Sequence, residues 1–244
     1  MHNHQIPYKN LDTIFLDAGN TLVSMDFFWV REELEALGIK CEVSELIRAE
    51  AAARPILSSE IERLKSTEDR KTSIFYLARM MDNLPSMTIM PGKNRDEIIE
   101  KLVLNLQAPG RIQRLWSILI PGVREALEIL KSKGIRLTVV SNSNGTIEDI
   151  ISGLEIRKYF NMVVDSHIVG YEKPDHRLFR HALEISDAEP ERTLHIGDLY
   201  HVDVLGAWSA GIHALLLDPF GDWKDVDCVR MPDLLSFARM MEKI

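Results

Sequence analysis

Apolar and polar positions follow two different regimes along this chain. Residues 13–16, TIFL, form a short apolar run that stops at Asp17 and is followed by the turn-forming pair Gly19-Asn20. This pattern predicts a buried strand running into a loop. From residue 26 to 107 the period becomes helical, through FFWVREELEAL, VSELIRAEAAA, EDRKTSIFYLARMMDNL and RDEIIEKLVLNLQ. In the third segment Ile74, Leu77, Ala78 and Met81 fall at helical spacing and predict one apolar face. Pro85 and the pair Pro91-Gly92 separate the last two helices, and nothing in the stretch reads as a strand.

Pro109-Gly110 and Pro121-Gly122 mark the return to the other regime. VREALEILKSKG predicts a helix closed by Gly134 at its C′ position. IRLTVV predicts a strand, IEDIISGLEI a helix and NMVVD a strand. A helix around 175–186, the strand TLHI, a helix around 202–210 and the strand HALLLD follow, and PDLLSFARMMEKI reads as a closing amphipathic helix. Such alternation implies βαβ units and a parallel sheet covered on both faces. The expected fold class is therefore α/β, a doubly wound parallel sheet built from residues 1–23 and 118–244. An all-helical unit, residues 24–117, interrupts it after the first strand; about 95 residues is an ordinary small-domain size. Sheets of this kind bind ligands at the carboxyl ends of their strands.

The hydrophobic content of 45% and charged content of 27% are ordinary for a globular protein. The formal net charge of −8 argues against nucleic acid as the main partner, since backbone binding requires clustered Lys and Arg. Cys41 and Cys228 form no CxxC or Cys/His spacing and read as reduced thiols. The polar start MHNHQIPYKN lacks an apolar secretory segment, and no apolar run reaches the roughly 18 residues of a membrane span. The expected address is cytoplasmic, with no membrane partner.

The predicted strand ends carry the candidate chemistry. Asp17 follows TIFL, with Thr21 four residues later; Ser141 and Asn142 follow LTVV. Lys173 lies in YEKPD, and Gly197 and Asp198 follow TLHI, with Asp203 five residues further on. Three carboxylates in one cleft repel one another unless balanced. A divalent cation and one lysine supply that balance, and an all-oxygen ligand set suits Mg²⁺. Lys173 then serves as a point charge for a nucleophile and for phosphoryl oxygens. The Ser141 hydroxyl and the Asn142 backbone N–H are candidates to cradle a phosphoryl group.

Four segments together resemble the haloacid dehalogenase-like superfamily: FLDAGNTLV, VVSNSNG, YEKPD and HIGDLYHVDVLGAWSAG. They occur in the family's order, and the helical insertion between the first two resembles the family's cap. The resemblance implies a Rossmann-like core and a hydrolase acting on a small phosphorylated molecule. It implies an aspartyl-phosphate at Asp17, a partnership with Lys173, and Mg²⁺ held by Asp17, the Gly19 carbonyl, Asp198 and Asp203, the last as ligand or outer-shell group. Thr21, Ser141 and Asn142 would bind substrate.

The sequence departs from the family at one informative position. Its phosphatases carry a second Asp two residues after the nucleophile, as general acid and base, and here that residue is Gly19. Positioned acid–base groups are typically worth about 10²–10⁴-fold in rate. Three readings compete: a phosphatase for good leaving groups or with an acid recruited elsewhere, a weakly catalytic phospho-ligand binder, and a dehalogenase or phosphonate-cleaving enzyme. Asp198 speaks against a metal-free dehalogenase. The insertion's Lys40, Lys65, Lys71, Lys93 and Lys101 lack the distinguishing context of an imine-forming lysine.

Each candidate also has a structural reading. Thr21 can satisfy nearby backbone, Ser141, Asn142 and Asn144-Gly145 can be turn formers, and Asp203 can cap the next helix. Among the histidines 167, 176, 195 and 201, His195 reads as a core residue. His201, in the Asp198–Asp203 loop, is the candidate acid–base group. Phe27, Phe28 and Trp29 read as packing, the acidic residues of 31–50 as a solvated helix face, and Trp116 as either packing or substrate contact.

Overall fold

A computed structural model describes residues 5–89, 92–108 and 111–244. The first four residues, Pro91 and the pair Pro109-Gly110 lie outside the described residues, as does the side chain of Lys93. The chain divides into two compact units, Met1–Ser24 with Leu119–Ile244, and Met25–Ile118.

In chain order the first unit opens with β1 (Thr13–Leu16) and β2 (Val23–Ser24). The second unit contributes α1 (Phe27–Ala36), α2 (Val43–Ser59), α3 (Ile61–Leu64), α4 (Arg70–Asp82), α5 (Pro85–Thr88), α6 (Gly92–Leu106) and α7 (Ile112–Leu115). There follow β3 (Ile118–Leu119), α8 (Val123–Ser132), β4 (Arg136–Ser141), α9 (Ile147–Gly153), β5 (Met162–Asp165), α10 (Ser166–Val169) and α11 (His176–Ile185). β6 (Thr193–Gly197), α12 (Leu205–Ser209), β7 (His213–Leu217), β8 (Val229–Met231) and α13 (Leu234–Glu242) complete the chain.

Six strands form one parallel sheet in the order β5-β4-β1-β6-β7-β8, while β2 and β3 form a separate two-stranded sheet. The period-two alternation of the strands divides their side chains between two cores. On one face Ile14, Leu16, Leu137, Val139, Leu194 and Ile196 pack with Leu127 of α8, Ile151 of α9 and Phe237 of α13. On the other, Phe15, Val140, Val164 and Leu216 pack with Leu178 and Phe179 of α11 and Ala207 of α12. Each fully buried aliphatic or Phe side chain stabilises the fold by about 1.5–3 kcal/mol relative to exposure. Side chains fix the helix ends: Asp175 accepts from the Arg177 N–H at the start of α11, and Asp233 from the Ser236 N–H at the start of α13. Gly134, at φ 76°, closes α8 in the left-handed conformation that its position requires.

Going outward along the sheet, β1 leads to β4 and β5 on one side, whereas β6, β7 and β8 lie on the other. The order therefore reverses between β1 and β6, and the crevice outside their carboxyl ends is where such sheets take ligands.

Several elements differ from the sequence pattern. β8 has no alternation long enough to read, and its pairing with β7 (Leu215 opposite Val229) defines it. The helix expected over 202–210 is split into a π-helical turn, Tyr200–Val204, and α12. α2 runs through Pro55 to Ser59, beyond the expected apolar run.

Within the second unit, α4 buries Thr72, Tyr76, Leu77, Met80 and Met81, so its inner face is rotated from the expected one and Ile74 is exposed. The large side chains of Tyr76 and Met80 decide which stripe is covered. Glu50 is not part of a solvated face: it is buried and accepts two hydrogen bonds from Arg54, at 2.9 and 2.6 Å, and one from the Tyr76 hydroxyl. A buried carboxylate requires such pairing. Of the three consecutive aromatics, Phe27 and Trp29 are buried while Phe28 is exposed. The guanidinium groups of Arg111 and Arg114 lie 5.0 and 4.9 Å from the Trp29 ring centroid. Trp116 is half-buried.

Candidate active site

β1 ends one residue before Asp17, whose backbone N–H donates to the Ile196 carbonyl at 2.9 Å and so extends the β1–β6 pairing to the sheet's edge. A tight turn follows. The Ala18 carbonyl accepts from the N–H groups of Leu22 and Val23 at 2.8 and 3.0 Å, and Asn20 adopts φ 52°, a left-handed conformation that Asn tolerates. This turn brings the Asn20 amide to Asp198 Oδ2, at 3.0 Å, from the end of β6. Gly19, half-buried, forms an isolated bridge with Val23 in the same turn.

Asp17, Asp198 and Asp203 each present a carboxylate oxygen such that all three lie within 4.8 Å of one another, and all three side chains are buried. Lys173, 3% exposed, sits among them: its Nζ donates to Asp17 Oδ1 at 2.5 Å and to Asp203 Oδ1 at 2.7 Å. Asp203 is held by further donors. The Leu199 N–H donates to Oδ2 at 2.9 Å, and His195 Nε2 lies 2.9 Å from Oδ1. Gly197 is required for this packing, because a Cβ there would fall 2.2 Å from Asp203 Cγ.

The electrostatics follow from the geometry. Burial pushes the Asp17 carboxyl up; the Lys173 ammonium opposes this and Asp203 adds to it, leaving Asp17 at about 6. Burial would also raise Asp203, but Lys173 and the His195 hydrogen bond outweigh it and hold the group well below the carboxylate range. For Lys173 burial is outweighed by Asp17 and Asp203, which raise it above its ordinary value. Burial lowers His195, which is neutral near pH 7. Three carboxylates against one ammonium leave two negative charges, the charge that one divalent cation neutralises.

Asp17, Lys173, Asp198 and Asp203 thus come together, whereas the remaining expected residues divide. The Thr21 hydroxyl is buried and has no hydrogen-bond partner among the described residues. Ser141 is the last residue of β4 rather than the residue after it, and its hydroxyl donates to the Asn142 carbonyl at 3.0 Å. Asn142 spends its side chain on the Lys173 backbone, donating to the carbonyl at 2.9 Å and accepting from the N–H at 2.7 Å. The expected candidate acid–base residue His201 lies in the π-helical turn with its ring edge-on to Tyr200, 5.3 Å away.

Three contributors are not among the site residues expected from the sequence. Asn20 reads as a turn former, and its reach to Asp198 depends on its left-handed φ. His195 reads as a core residue, although a His within an apolar strand carries a signal: a buried imidazole needs a partner. Asp165 ends β5 and accepts from the N–H groups of Gly145 and His167, at 3.2 and 2.9 Å, bracing the loop after β4.

A doubly wound parallel sheet with a carboxylate–lysine centre at its switch point defines an α/β enzyme fold with a polar, cation-ready site. The chain belongs to the haloacid dehalogenase-like hydrolase family, whose model matches residues 11–211. Over 120 residues it is 36% identical to haloacid dehalogenase-like hydrolase domain-containing protein 3 of Bos taurus, covering 49% of this chain and 46% of that protein. Over 100 residues it is 41% identical to glyceraldehyde 3-phosphate phosphatase of Methanothermobacter thermautotrophicus, covering 40% of this chain and 44% of that protein. The chain thus spans about half the length of these curated relatives. The crystal structure of a HAD phosphatase from Thermococcus onnurineus matches with a TM-score of 0.58 at 18% identity, over 95% of this chain and 98% of that one, a likeness of fold. Among the described residues no helix is long and apolar enough to cross a membrane.

Proposed function

We propose that this hydrolase is a Mg²⁺-dependent phosphatase of a small phosphorylated metabolite, with Asp17 as its nucleophile. The observation that carries the reading is the hydrogen bond from the buried Lys173 ammonium to Asp17 at the switch point of the sheet, beside two further carboxylates. The phosphatase named among the relatives supports the same substrate class.

The donor set fits Mg²⁺: it is all oxygen, buried, and short of positive charge by two. Asp17, Asp198 and the Gly19 carbonyl would hold the ion. Asp203, whose oxygens already accept from Lys173, His195 and Leu199, fits an outer position better than a direct one. When bound, Mg²⁺ supplies charge neutralisation for the phosphoryl group.

In this reading the Asp17 carboxylate attacks phosphorus, the bond from phosphorus to the ester oxygen breaks, and water later hydrolyses the aspartyl-phosphate. Lys173 holds Asp17 in place and offsets charge on the transferred group, while Asn142 fixes the Lys173 backbone. The unpartnered Thr21 hydroxyl and the Ser141 hydroxyl are the candidate phosphoryl contacts. Gly19 offers no proton to the departing oxygen, so substrates with acidic leaving groups are favoured. In this reading the helical unit, residues 24–117, is a cap domain. The free thiols of Cys41 and Cys228 support a reducing, cytoplasmic setting.

Gly19 itself favours a second reading, a phospho-ligand binder of low turnover. Hydrolysis of an activated aryl phosphate with Mg²⁺, and its loss in EDTA and in Asp17→Asn, is the expected result. No turnover across a broad phosphate-ester panel would contradict the phosphatase reading, and stabilisation by phosphate esters without turnover would support the binder.

A further inference from the structure

We propose that His195 is a positioning residue of this site: its Nε2–H fixes Asp203, and through Asp203 it holds the Lys173 ammonium on Asp17. The proposal rests on the phosphatase reading above and deepens it.

His195 lies in the middle of β6, fully buried, on the sheet face that carries Phe15, its neighbour in register. The Phe179 ring of α11 packs edge-on against it at 5.0 Å and 81°. An imidazole in such apolar surroundings gains from any pairing of its polar atoms; Nδ1 has no hydrogen-bond partner among the described residues, and Nε2 reaches Asp203 Oδ1 at 2.9 Å. That oxygen already accepts from Lys173 Nζ at 2.7 Å. A carboxylate bonded to an ammonium is an anion and cannot donate, so the hydrogen between Asp203 and His195 belongs to Nε2.

Asp203 then accepts from three directions: Lys173 and His195 on Oδ1, and the Leu199 N–H on Oδ2. Donors on both oxygens fix the plane of the carboxylate as well as its location. Gly197, without a Cβ, leaves room for this placement. Lys173 depends on it, because Asn142 anchors the lysine backbone, while the head at the end of the four-carbon stem is placed by its bonds to Asp17 and Asp203. Without the His195 donor, Oδ1 retains Lys173 alone, the carboxylate can turn about its last torsion, and the ammonium follows it away from Asp17. Since the ammonium serves the charge that develops during attack, the consequence falls on kcat more than on KM.

The test compares His195→Leu, which removes the donor and keeps an apolar filling, with His195→Gln, whose amide N–H can reach the same oxygen. His195→Leu is expected to lower kcat on an aryl phosphate about tenfold or more, as small misplacements of a reacting group do. KM should change less than about threefold, and His195→Gln should return kcat to within about threefold of wild type. Equal kcat in wild type and His195→Leu, or equal losses in both variants tracking equal falls in Tm, would overturn the proposal. A second measurement is independent of catalysis. In ¹⁵N-histidine-labelled protein the His195 ring proton is expected on Nε2, with its resonance shifted in Asp203→Ala. A proton on Nδ1 instead overturns the proposal, even if a variant fails to fold. Should wild type hydrolyse nothing while the Nε2–H is found, the phosphatase reading fails and the positioning contact stands.

Discussion

Replacing Lys173 by methionine removes the ammonium that Asp17 and Asp203 share and keeps most of the side chain's volume. At an effective dielectric of about 20, unit charges about 3 Å apart attract by about 5 kcal/mol. Removing one partner of a buried pair typically costs about 3–5 kcal/mol. In the wild type the Lys173 contribution is complete below its unfolded pKa of about 10.4 and is lost as pH rises through its elevated folded value. Asp203, held low, contributes above its unfolded pKa of about 3.9 and loses that contribution as pH falls through its depressed value. Asp17 behaves oppositely: at about 6 in the fold it binds a proton more readily than in the unfolded chain, so stability rises as pH falls from about 6 toward 4. In Lys173→Met the Asp17 carboxyl moves higher still. The variant's deficit should therefore be about 3–5 kcal/mol near neutral pH, and shrink, by at most about 1.4 kcal/mol per unit, as pH falls toward 6. Urea unfolding in EDTA across this range measures it. A deficit below about 1 kcal/mol, or one independent of pH, would refute the assignment of Lys173 as the buried counter-ion.

Gly19→Asp supplies a carboxyl group at the position where a proton donor is absent. It should raise kcat on alkyl phosphates by about 10²–10⁴-fold and on activated aryl phosphates far less, and no gain on either would mean that proton transfer is not what the site lacks. If Asp17 holds Mg²⁺ as proposed, the apparent affinity should be level above about pH 6 and fall about tenfold per unit below it, as calorimetric titration can show. A level affinity down to about pH 5 would contradict the Asp17 environment described. Gly197→Ala places a methyl against Asp203 and should cost about 1–3 kcal/mol in thermal or urea unfolding, together with weaker Mg²⁺ binding. Unchanged values would mean that Asp203 moves without consequence.

The sheet is readable because its strands are short apolar runs ended by polar turns; Asp17 and Asp198 stand at those ends, and Lys173 in the loop between α10 and α11. What escaped depends on contacts between distant segments. The Val229–Met231 strand exists through its pairing with β7, not through any pattern of its own. The inner face of α4 is not legible, because spacing alone does not show whether Ile74 or Tyr76 faces the interior. The Asn142 side chain holds the Lys173 backbone across 31 residues of sequence, a contact that no local spacing signals. His195 reads as core and is core; what its own segment does not reveal is that Asp203 turns back to meet it through the π-helical turn.

In the proposed reaction Asp17 takes the phosphoryl group. Rapid acid quenching during turnover of an aryl phosphate with Mg²⁺, then borohydride reduction and peptide mass analysis, tests it most directly. The account predicts conversion of Asp17 to homoserine in wild type and none in Asp17→Asn. Phosphate release with Asp17 unmodified at every quench time, or a label on another residue, would contradict it.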